Sequence, residues 1–422
     1  MNSNTLSIDS PEFLHKTAKP GWLDHAARRI VLSKLAQLRH GEVTVIERDR
    51  RQTFGRADET CPLAATVTVK SPGFYGDVAF GGGLGGGEAY IQDYWECSDL
   101  VALGRVLLRN RDVLDSVDSG AAAMARPLRK AFHWLNRNTR SGSRRNIAAH
   151  YDLGNDFYAL WLDPEMMYSC AWYADDSTTL EDAAVAKLDR ICRRLDLQTD
   201  ERVVEIGAGW GGFAVHAAKH YGCHVTTTTI SSEQHDYAKR RIAEEGLEDR
   251  ITLLKKDYRD LEGQYDKLVS IEMIEAVGHE YLDTYFRKCS SLLKPDGELL
   301  IQAITIADQR YEYARKNVDF IKRYVFPGGF LPSVTAMTAV LTRETDLRAI
   351  HIEDIGLHYA RTLRDWRERF FARVDEVRDQ GFTDEFIRLW DFYLTYCESA
   401  FRERAIGDVH LHAIKPGARP AI

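Results

Sequence analysis

Residues 202–303 alternate between strand-like and helix-like segments, and this alternation constrains the fold more than any other feature of the sequence. The strand-like segments are short runs rich in apolar and β-branched residues: Arg202–Ile206, Cys223–Ile230, Arg250–Asp257, Tyr265–Glu272 and Glu298–Ala303. Helical patterns separate them, the last over Tyr281–Leu293. Because parallel strands need long crossover connections, usually helices, this order predicts a doubly wound, Rossmann-like α/β sheet.

Patterns on either side of this region predict further elements. Ala349–Asp354 and Val409–Ala413 are expected as late edge strands, and they frame a long helical insertion over Leu357–Arg404. Towards the N-terminus the spacing predicts a helix over Trp22–Arg39 and strands over Val43–Glu47 and Ala64–Lys70. A glycine cluster from Gly81 to Gly87, interrupted only by Leu84, is expected to form a tight turn.

The length of 422 residues suggests two or three units. We predict a loose N-terminus over 1–20, a small α+β N-terminal domain that interacts with lipid over 21–125, a linker over 126–146 and a catalytic domain over 147–422. Residues 126–145 carry seven basic side chains and no acidic one. This segment is either a solvated linker or a surface that adsorbs to anionic lipid headgroups.

Composition restricts the class of protein. A net charge of −7 argues against a dedicated nucleic-acid binder. Seven scattered cysteines without a CxxC pair fit a reducing cytoplasm. No apolar run approaches the roughly 18 residues that a membrane-spanning helix needs, and the first residues do not form a signal sequence. We therefore expect a soluble, cytoplasmic protein, and the histidines show no spacing that predicts a metal site.

The segment EIGAGWGG, Glu205–Gly212, lies at a predicted strand-to-helix turn and fits two kinds of cofactor. Read as GxGxxG it could hold a dinucleotide, and read as an acid followed by GxGxG it resembles the first motif of S-adenosylmethionine-dependent methyltransferases. A dinucleotide site expects an acidic residue at the end of the next strand, where this chain has threonines. Thr229 and Gln234 are then placed to hold the ribose, Asp257 to receive the adenine amino group and Tyr258 to stack on the ring.

Several longer motifs carry a resemblance to a known family. The chain contains AHYDLGNDFYALWLDPEMMYSCAWY, VVEIGAGWGGFA, TTTTISSEQ, SIEMIEAVGHEYLDTYF and RYVFPGGFLPS in that order. Together they resemble cyclopropane-fatty-acyl-phospholipid synthases and the related mycolic acid methyltransferases over residues 145–405. Residues 20–125, with GGEAYIQDYWECSDL, resemble the N-terminal domain of the phospholipid enzymes. The resemblance implies a class I methyltransferase whose cofactor site comprises Tyr151, Tyr168, Ser169, Glu205, Gly207, Gly209, Gly211, Thr229, Ile230, Gln234, Asp257 and Tyr258.

The resemblance also implies a reaction. Such enzymes transfer a methyl group from S-adenosylmethionine to a cis double bond of a phospholipid acyl chain, and loss of a proton from the resulting carbocation closes a cyclopropane ring. A bound bicarbonate is the expected base. By resemblance its cage maps to Cys170, Glu275, the backbone of Ile304, Tyr359 and Gln302. Glu272, three residues before Glu275, competes with it for the catalytic role.

Two departures from the family pattern leave the product open. Gln302 stands where relatives usually place histidine, and Ala276 follows the catalytic glutamate where histidine is frequent. The carbocation could therefore end as a methylene or methyl-branched chain, and a non-catalytic lipid-binding subunit is a third possibility. Aromatic residues that could line an acyl tunnel are Phe157, Trp161, Phe320, Tyr324, Phe326 and Phe330. Family analogy adds a homodimer in peripheral contact with an anionic inner membrane face.

Overall fold

The structure is a computed structural model that describes residues 22–113, 115 and 153–420. The basic segment over 126–145 and Tyr151 lie outside the described residues. The strands are β1 (Gly41–Glu47), β2 (Arg50–Arg56), β3 (Ala64–Val69), β4 (Trp95–Cys97), β5 (Arg202–Ile206), β6 (His224–Thr228), β7 (Ile251–Leu254), β8 (Tyr265–Ile271), β9 (Leu293–Ile306), β10 (Arg348–Asp354) and β11 (Ile406–Ile414).

The described α-helices fall before, between and after these strands. They are α1 (Trp22–Leu35), α2 (Gly73–Ile91), α3 (Leu100–Arg109), α4 (Asn155–Ala159), α5 (Leu180–Arg194), α6 (Gly212–Tyr221), α7 (Ser232–Glu244), α8 (Leu282–Leu292), α9 (Asp308–Lys316), α10 (Val334–Glu344), α11 (Gly356–Ala372), α12 (Val374–Asp379) and α13 (Asp384–Arg402). None of the helices in the described ranges is both long and apolar enough to cross a membrane.

The larger sheet has seven strands in the order β10-β11-β9-β8-β5-β6-β7. The five strands from β5 to β9 pair in parallel, while β11 pairs antiparallel with β9 and β10 antiparallel with β11. This arrangement confirms the predicted doubly wound sheet and both late strands, but only β10 is an edge strand; the prediction of an edge position for Val409–Ala413 is wrong, because β11 pairs with β10 on one side and β9 on the other. The chain order reverses at β5, which lies between β6 and β8, so a crevice opens at the carboxyl ends of these strands, where such sheets bind ligands.

A smaller sheet, in the order β2-β1-β3-β4, forms within residues 41–97. The sequence predicted β1 and β3 because their apolar residues alternate, but it did not predict β2. The residues of β2 are almost all exposed, and their sequence is RRQTFGR. An edge strand that buries no apolar face lacks the alternation by which strands are recognised.

The prediction of a tight turn at the glycine cluster is wrong. These glycines lie inside α2, which kinks at Gly82, where φ is 64° and ψ is −144°. Close packing explains the glycines better than turn geometry does. A Cβ atom on Gly87 would lie 2.7 Å from the Phe320 ring, and one on Gly85 would lie 2.0 Å from the carbonyl oxygen of Asp77. The absent side chain at Gly87 therefore allows α2 to pack directly against Phe320, and the one at Gly85 allows the two parts of the kinked helix to approach each other.

Helix α13 joins the two sheets, since it packs against α2 and α3 on one side and against α11 on the other. A buried polar group fixes this contact. The Tyr90 hydroxyl donates to Asp391 Oδ2 at 2.7 Å, and the Arg367 Nε donates to Asp391 Oδ1 at 2.6 Å. The Arg388 guanidinium donates to the carbonyl oxygens of Tyr90 and Trp95. The smaller sheet is thus held against the helical insertion by satisfied hydrogen bonds in a buried interface.

Candidate active site

The loop between β5 and α6 contains three glycines with left-handed backbone, Gly207, Gly209 and Gly211. A Cβ atom on Gly207, where φ is +102°, would lie 3.0 Å from the Met273 side chain. A Cβ atom on Gly209, where φ is +50°, would meet no atom within 4 Å. The loop therefore presents bare backbone to open space at Gly209, and its positive φ values favour glycine at both positions.

That open space belongs to a cavity of about 690 Å³. Its walls include most of the residues predicted for the cofactor: Tyr168, Ser169, Glu205, Gly207, Gly209, Thr229, Ile230, Gln234, Asp257 and Tyr258. Gly211 does not line it and instead packs against Ala238. Among the residues predicted for the base cage, Glu275, Ile304 and Tyr359 line the same cavity, as does Glu272, whereas Cys170 and Gln302 lie behind its wall.

Hydrogen bonds order the part of the cavity nearest to the loop. The Thr229 hydroxyl donates to Gln234 Oε1 at 3.0 Å, and the Thr227 hydroxyl donates to Glu205 Oε2 at 2.5 Å. Burial raises the pKa of Glu205 to about 7. The carboxylate of Asp257 accepts two hydrogen bonds from the Arg259 guanidinium, at 2.8 and 2.6 Å. Asp257 is thus engaged within the protein, and its contact with adenine stays a prediction.

Two other predicted cofactor residues are tied to groups deeper in the protein. The Tyr168 and Tyr393 hydroxyls lie 2.9 Å apart. The ammonium of Lys187 donates to Ser169 Oγ at 2.9 Å, and this lysine is completely buried. A buried ammonium favours negative charge nearby, so Lys187 stabilises ionised carboxylates at the base of the cavity.

The Glu272 carboxylate lines the cavity and is the centre of a group of hydrogen bonds. Its Oε1 accepts from the backbone N–H of Cys170 at 2.7 Å and from Gln302 Nε2 at 2.7 Å. Its Oε2 accepts from the Tyr359 hydroxyl at 2.7 Å. Burial raises the pKa of Glu272, and the Cys170 N–H and the Tyr359 hydroxyl oppose that rise. Three groups that were predicted to hold bicarbonate therefore converge on a side chain of the protein itself.

Glu275 lies beside Glu272 in a different environment. Its Oε1 accepts from the Ile304 backbone N–H at 2.6 Å, whereas its buried Oε2 has no hydrogen-bond partner. Burial, followed by the negative charge of Glu272, raises the pKa of Glu275 to about 8. The two neighbouring carboxyl groups are therefore differentiated, one surrounded by donors and the other protonated near neutral pH.

Two residues of β11 support Gln302 from behind. His410 Nε2 lies 3.1 Å from Gln302 Oε1, and Gln302 Nε2 lies 3.0 Å from Asp408 Oδ2. Burial lowers the pKa of His410 to about 3, so the ring is neutral and can donate to the amide oxygen. Burial and the charge of Glu272 raise the pKa of Asp408 well above its usual value. The amide nitrogen of Gln302 is thereby directed at Glu272.

The sequence analysis did not identify Lys187, Asp408 or His410. A signal for the last two exists, because Asp408, His410 and His412 alternate with apolar residues along β11 and so share one face of a strand. No comparable signal marks Lys187, a single lysine within a helical pattern. Its burial depends on how α5 packs against the sheet.

The predicted bicarbonate site does not fit the residues present. The Cys170 thiol donates to the Ala171 carbonyl oxygen at 3.2 Å, and burial raises its pKa well above the usual value, so the thiol stays neutral. The backbone N–H of Cys170, the amide of Gln302 and the hydroxyl of Tyr359 donate to Glu272, and the N–H of Ile304 donates to Glu275. A bicarbonate ion would have to displace one of these carboxylates to reach the donors assigned to it.

Comparison with known proteins places this site in a family. The family model described as "Mycolic acid cyclopropane synthetase" matches residues 138–411, more than half of the chain. The chain belongs to this family. The enzyme is an S-adenosylmethionine-dependent methyltransferase, and the positive-φ glycines, the open space at Gly209 and the polar wall around Thr229 and Gln234 fit that cofactor.

Three similar proteins illustrate the likeness. The enzyme is 39% identical over 328 residues to "Tuberculostearic acid methyltransferase UfaA1" of Mycobacterium tuberculosis, which covers 76% of each chain. It is 39% identical over 349 residues to "Cyclopropane-fatty-acyl-phospholipid synthase" of Escherichia coli, covering 81% of this chain and 86% of that one. A crystal structure of mycolic acid cyclopropane synthase CmaA1 with SAH and CTAB superposes with a TM-score of 0.60 at 29% identity, covering 64% of this chain and 98% of that one.

Proposed function

We propose that the enzyme transfers a methyl group from S-adenosylmethionine to the cis double bond of an unsaturated phospholipid acyl chain and closes a cyclopropane ring. The observation that carries this proposal is the extent of the cavity. It begins at the glycine loop, passes Glu272 and Glu275 and continues between apolar side chains into the interior of the small N-terminal unit. A polar small molecule would not need such an extension, whereas a fatty chain would.

Aromatic and aliphatic residues form the wall beyond the two glutamates. Phe320, Phe326 and Tyr393 come from the catalytic unit, and Val67 and Leu103 come from the small unit. The Phe320 side chain is buried against Phe392, and the two ring centroids lie 4.7 Å apart. Of the aromatic residues predicted to line a tunnel, Phe320, Phe326 and Phe330 line this cavity, whereas Phe157, Trp161 and Tyr324 do not.

The proposed chemistry matches this environment. When bound, S-adenosylmethionine supplies an electrophilic methyl group. An alkene is a weak nucleophile, so the enzyme must hold it in line with that methyl group in a cavity without water. Positive charge then develops on the acyl chain next to Glu272, whose ionised carboxylate stabilises it electrostatically. The cavity therefore combines an apolar channel with a carboxylate at the point where the positive charge develops.

A methylene or methyl-branched product is the second candidate. Two observations favour it: the likeness to the tuberculostearic acid methyltransferase and the absence of free donors for bicarbonate among the described residues of the site. We also retain as proposals a homodimer and peripheral contact with an anionic membrane through the basic segment. Ionic strength should weaken binding to anionic vesicles if that segment adsorbs to them.

Labelled S-adenosylmethionine tests the proposed function. The enzyme is incubated with vesicles of dioleoyl phosphatidylglycerol and, separately, of the distearoyl lipid, and the products are separated by mass spectrometry. We expect label in the oleoyl chain alone, as a ring. Label in a methylene or methyl-branched chain would select the second candidate, and label in neither lipid would contradict both.

A substitution that narrows the cavity tests the proposed acyl channel. Gly83 lines the cavity on α2, and a Cβ atom there meets nothing within 4 Å, so Gly83→Phe should project into the channel. We expect turnover of the oleoyl lipid to fall at least about tenfold, the equivalent of about 1.4 kcal/mol. Gly76→Phe is the matched control, since Gly76 lies on the same helix with equal free space but does not line the cavity. Equal turnover by the two variants would place the acyl chain elsewhere.

A further inference from the structure

The backbone at Glu272 is unusual. Its φ of 47° is left-handed, although the residue is not glycine, and it follows β8 directly. Its own N–H donates to the Gln302 carbonyl oxygen at 2.9 Å, which fixes the residue against β9. A residue with a side chain is strained in such a conformation, and strained residues cluster at functional sites.

The neighbours of Glu272 form a complete anion site. One backbone N–H, one amide and one phenolic hydroxyl donate to its two oxygens, and the two residues behind it, Cys170 and Gln302, do not line the cavity. Glu272 itself does line the cavity. Any cation in the cavity therefore meets the Glu272 carboxylate before it meets the groups that the carboxylate covers.

We propose that Glu272 is the catalytic base of this enzyme, a resident carboxylate that takes the place of a bound bicarbonate. The inference rests on the proposed function, because it assigns the proton acceptor of that reaction. Glu275 then has a different role. It keeps its own proton near neutral pH and positions the segment around Ile304 through a single hydrogen bond.

The step balances without another reactant. The carbon–sulfur bond of the cofactor breaks with its electron pair left on sulfur, and the alkene π pair forms the new carbon–carbon bond to the methyl group. A C–H bond of that methyl group then breaks, its electron pair closes the ring, and the proton goes to a Glu272 oxygen. A carbocation of this kind is far more acidic than a carboxylic acid, so even a carboxylate with several donors accepts the proton.

Two substitutions distinguish Glu272 as the base from a bound bicarbonate ion as the base. Glu272→Gln removes the charge and keeps the shape, and we expect turnover to fall by about 100-fold or more while cofactor affinity is retained. Glu272→Gly suits the left-handed backbone and uncovers the three donors, so this variant should fold. We expect it to bind ¹³C-labelled bicarbonate and formate, seen by NMR, and to regain turnover when either is added. Glu248→Gln, at an exposed glutamate, is the matched control.

The wild-type enzyme provides the opposing measurement. We expect no binding of ¹³C-labelled bicarbonate at the site and no change in turnover when bicarbonate is removed from the buffer. Turnover of the wild type that depends on bicarbonate, full activity of Glu272→Gln, or a Glu272→Gly variant that binds neither anion would each overturn the proposal. The NMR result does not require a lipid substrate, so failure of the proposed function, seen as no labelled lipid with the wild type, is distinguishable from failure of the anion site.

Discussion

Gly209→Leu should lower the affinity for S-adenosylmethionine by at least about 100-fold, which corresponds to about 2.7 kcal/mol. The reason is the open space beside this residue, since a Cβ atom there would touch no protein atom within 4 Å and the added side chain would extend into the cofactor cavity. The fold should survive, because a residue at a φ of +50° pays only about 1–2 kcal/mol of backbone strain. Calorimetric titration with the cofactor measures the loss.

Gly246→Leu is the control for this variant. Gly246 has a φ of +65° and equally free surroundings, but it ends the turn after α7 and does not line the cavity. The two variants should lose similar stability in urea, whereas only Gly209→Leu should lose cofactor affinity. If both bound the cofactor like the wild type, the glycine loop would not hold it.

Glu275→Gln should change how stability depends on pH. The folded protein keeps the Glu275 proton up to a pKa of about 8, whereas the unfolded chain releases it near the ordinary value of 4.5. The unfolded state is therefore favoured as pH rises between these values, and this group reduces the free energy of unfolding by up to about 1.4 kcal/mol for each pH unit. Glutamine does not ionise, so the free energy of unfolding of the variant should not fall with pH for this reason.

Urea unfolding of both proteins between about pH 5 and pH 8 tests this, because the difference between the two curves isolates Glu275 from the other buried carboxyl groups. We expect the free energy of unfolding of the variant to rise steadily relative to that of the wild type as pH rises. In addition, the free energy of unfolding of the variant should be lower by an amount that does not depend on pH, because the new amide nitrogen at the position of Oε2 would lack a hydrogen-bond partner. Parallel curves would mean that Glu275 is ionised in the folded protein.

The sheet could be predicted because its central strands are buried on both faces and therefore form apolar runs between helix signals. Local patterns failed where tertiary packing determined the structure. Strand β2 is polar because it lies exposed at an edge, and Gly87 of α2 has no room for a side chain because Phe320 and Phe392 approach it from a distant part of the chain. Neither the edge position of β2 nor the approach of these two rings can be inferred from the neighbouring sequence.

The candidate site shows the same division. The loop from Glu205 to Gly212 was predicted because a glycine turn after a buried strand has a definite spacing. The choice between Glu272 and Glu275 could not be made from a motif that places them three residues apart. It depends on the left-handed backbone at Glu272 and on donors from Cys170, Gln302 and Tyr359, which only the folded chain brings together.

The kinked, glycine-rich helix α2 supplies one side of the proposed acyl channel with little more than main-chain atoms, since Gly81, Gly82, Gly83 and Gly86 all line the cavity. The width of the channel therefore depends on the absence of side chains at these four positions. Single replacements of Gly81, Gly83 or Gly86 by alanine or serine would narrow the channel in small steps without touching the reacting carbon atoms, whereas Gly82 has a backbone that favours glycine. In the proposed reaction, selectivity for the shape of the acyl chain can thus be adjusted independently of the chemistry, through a helix of the N-terminal part of the chain.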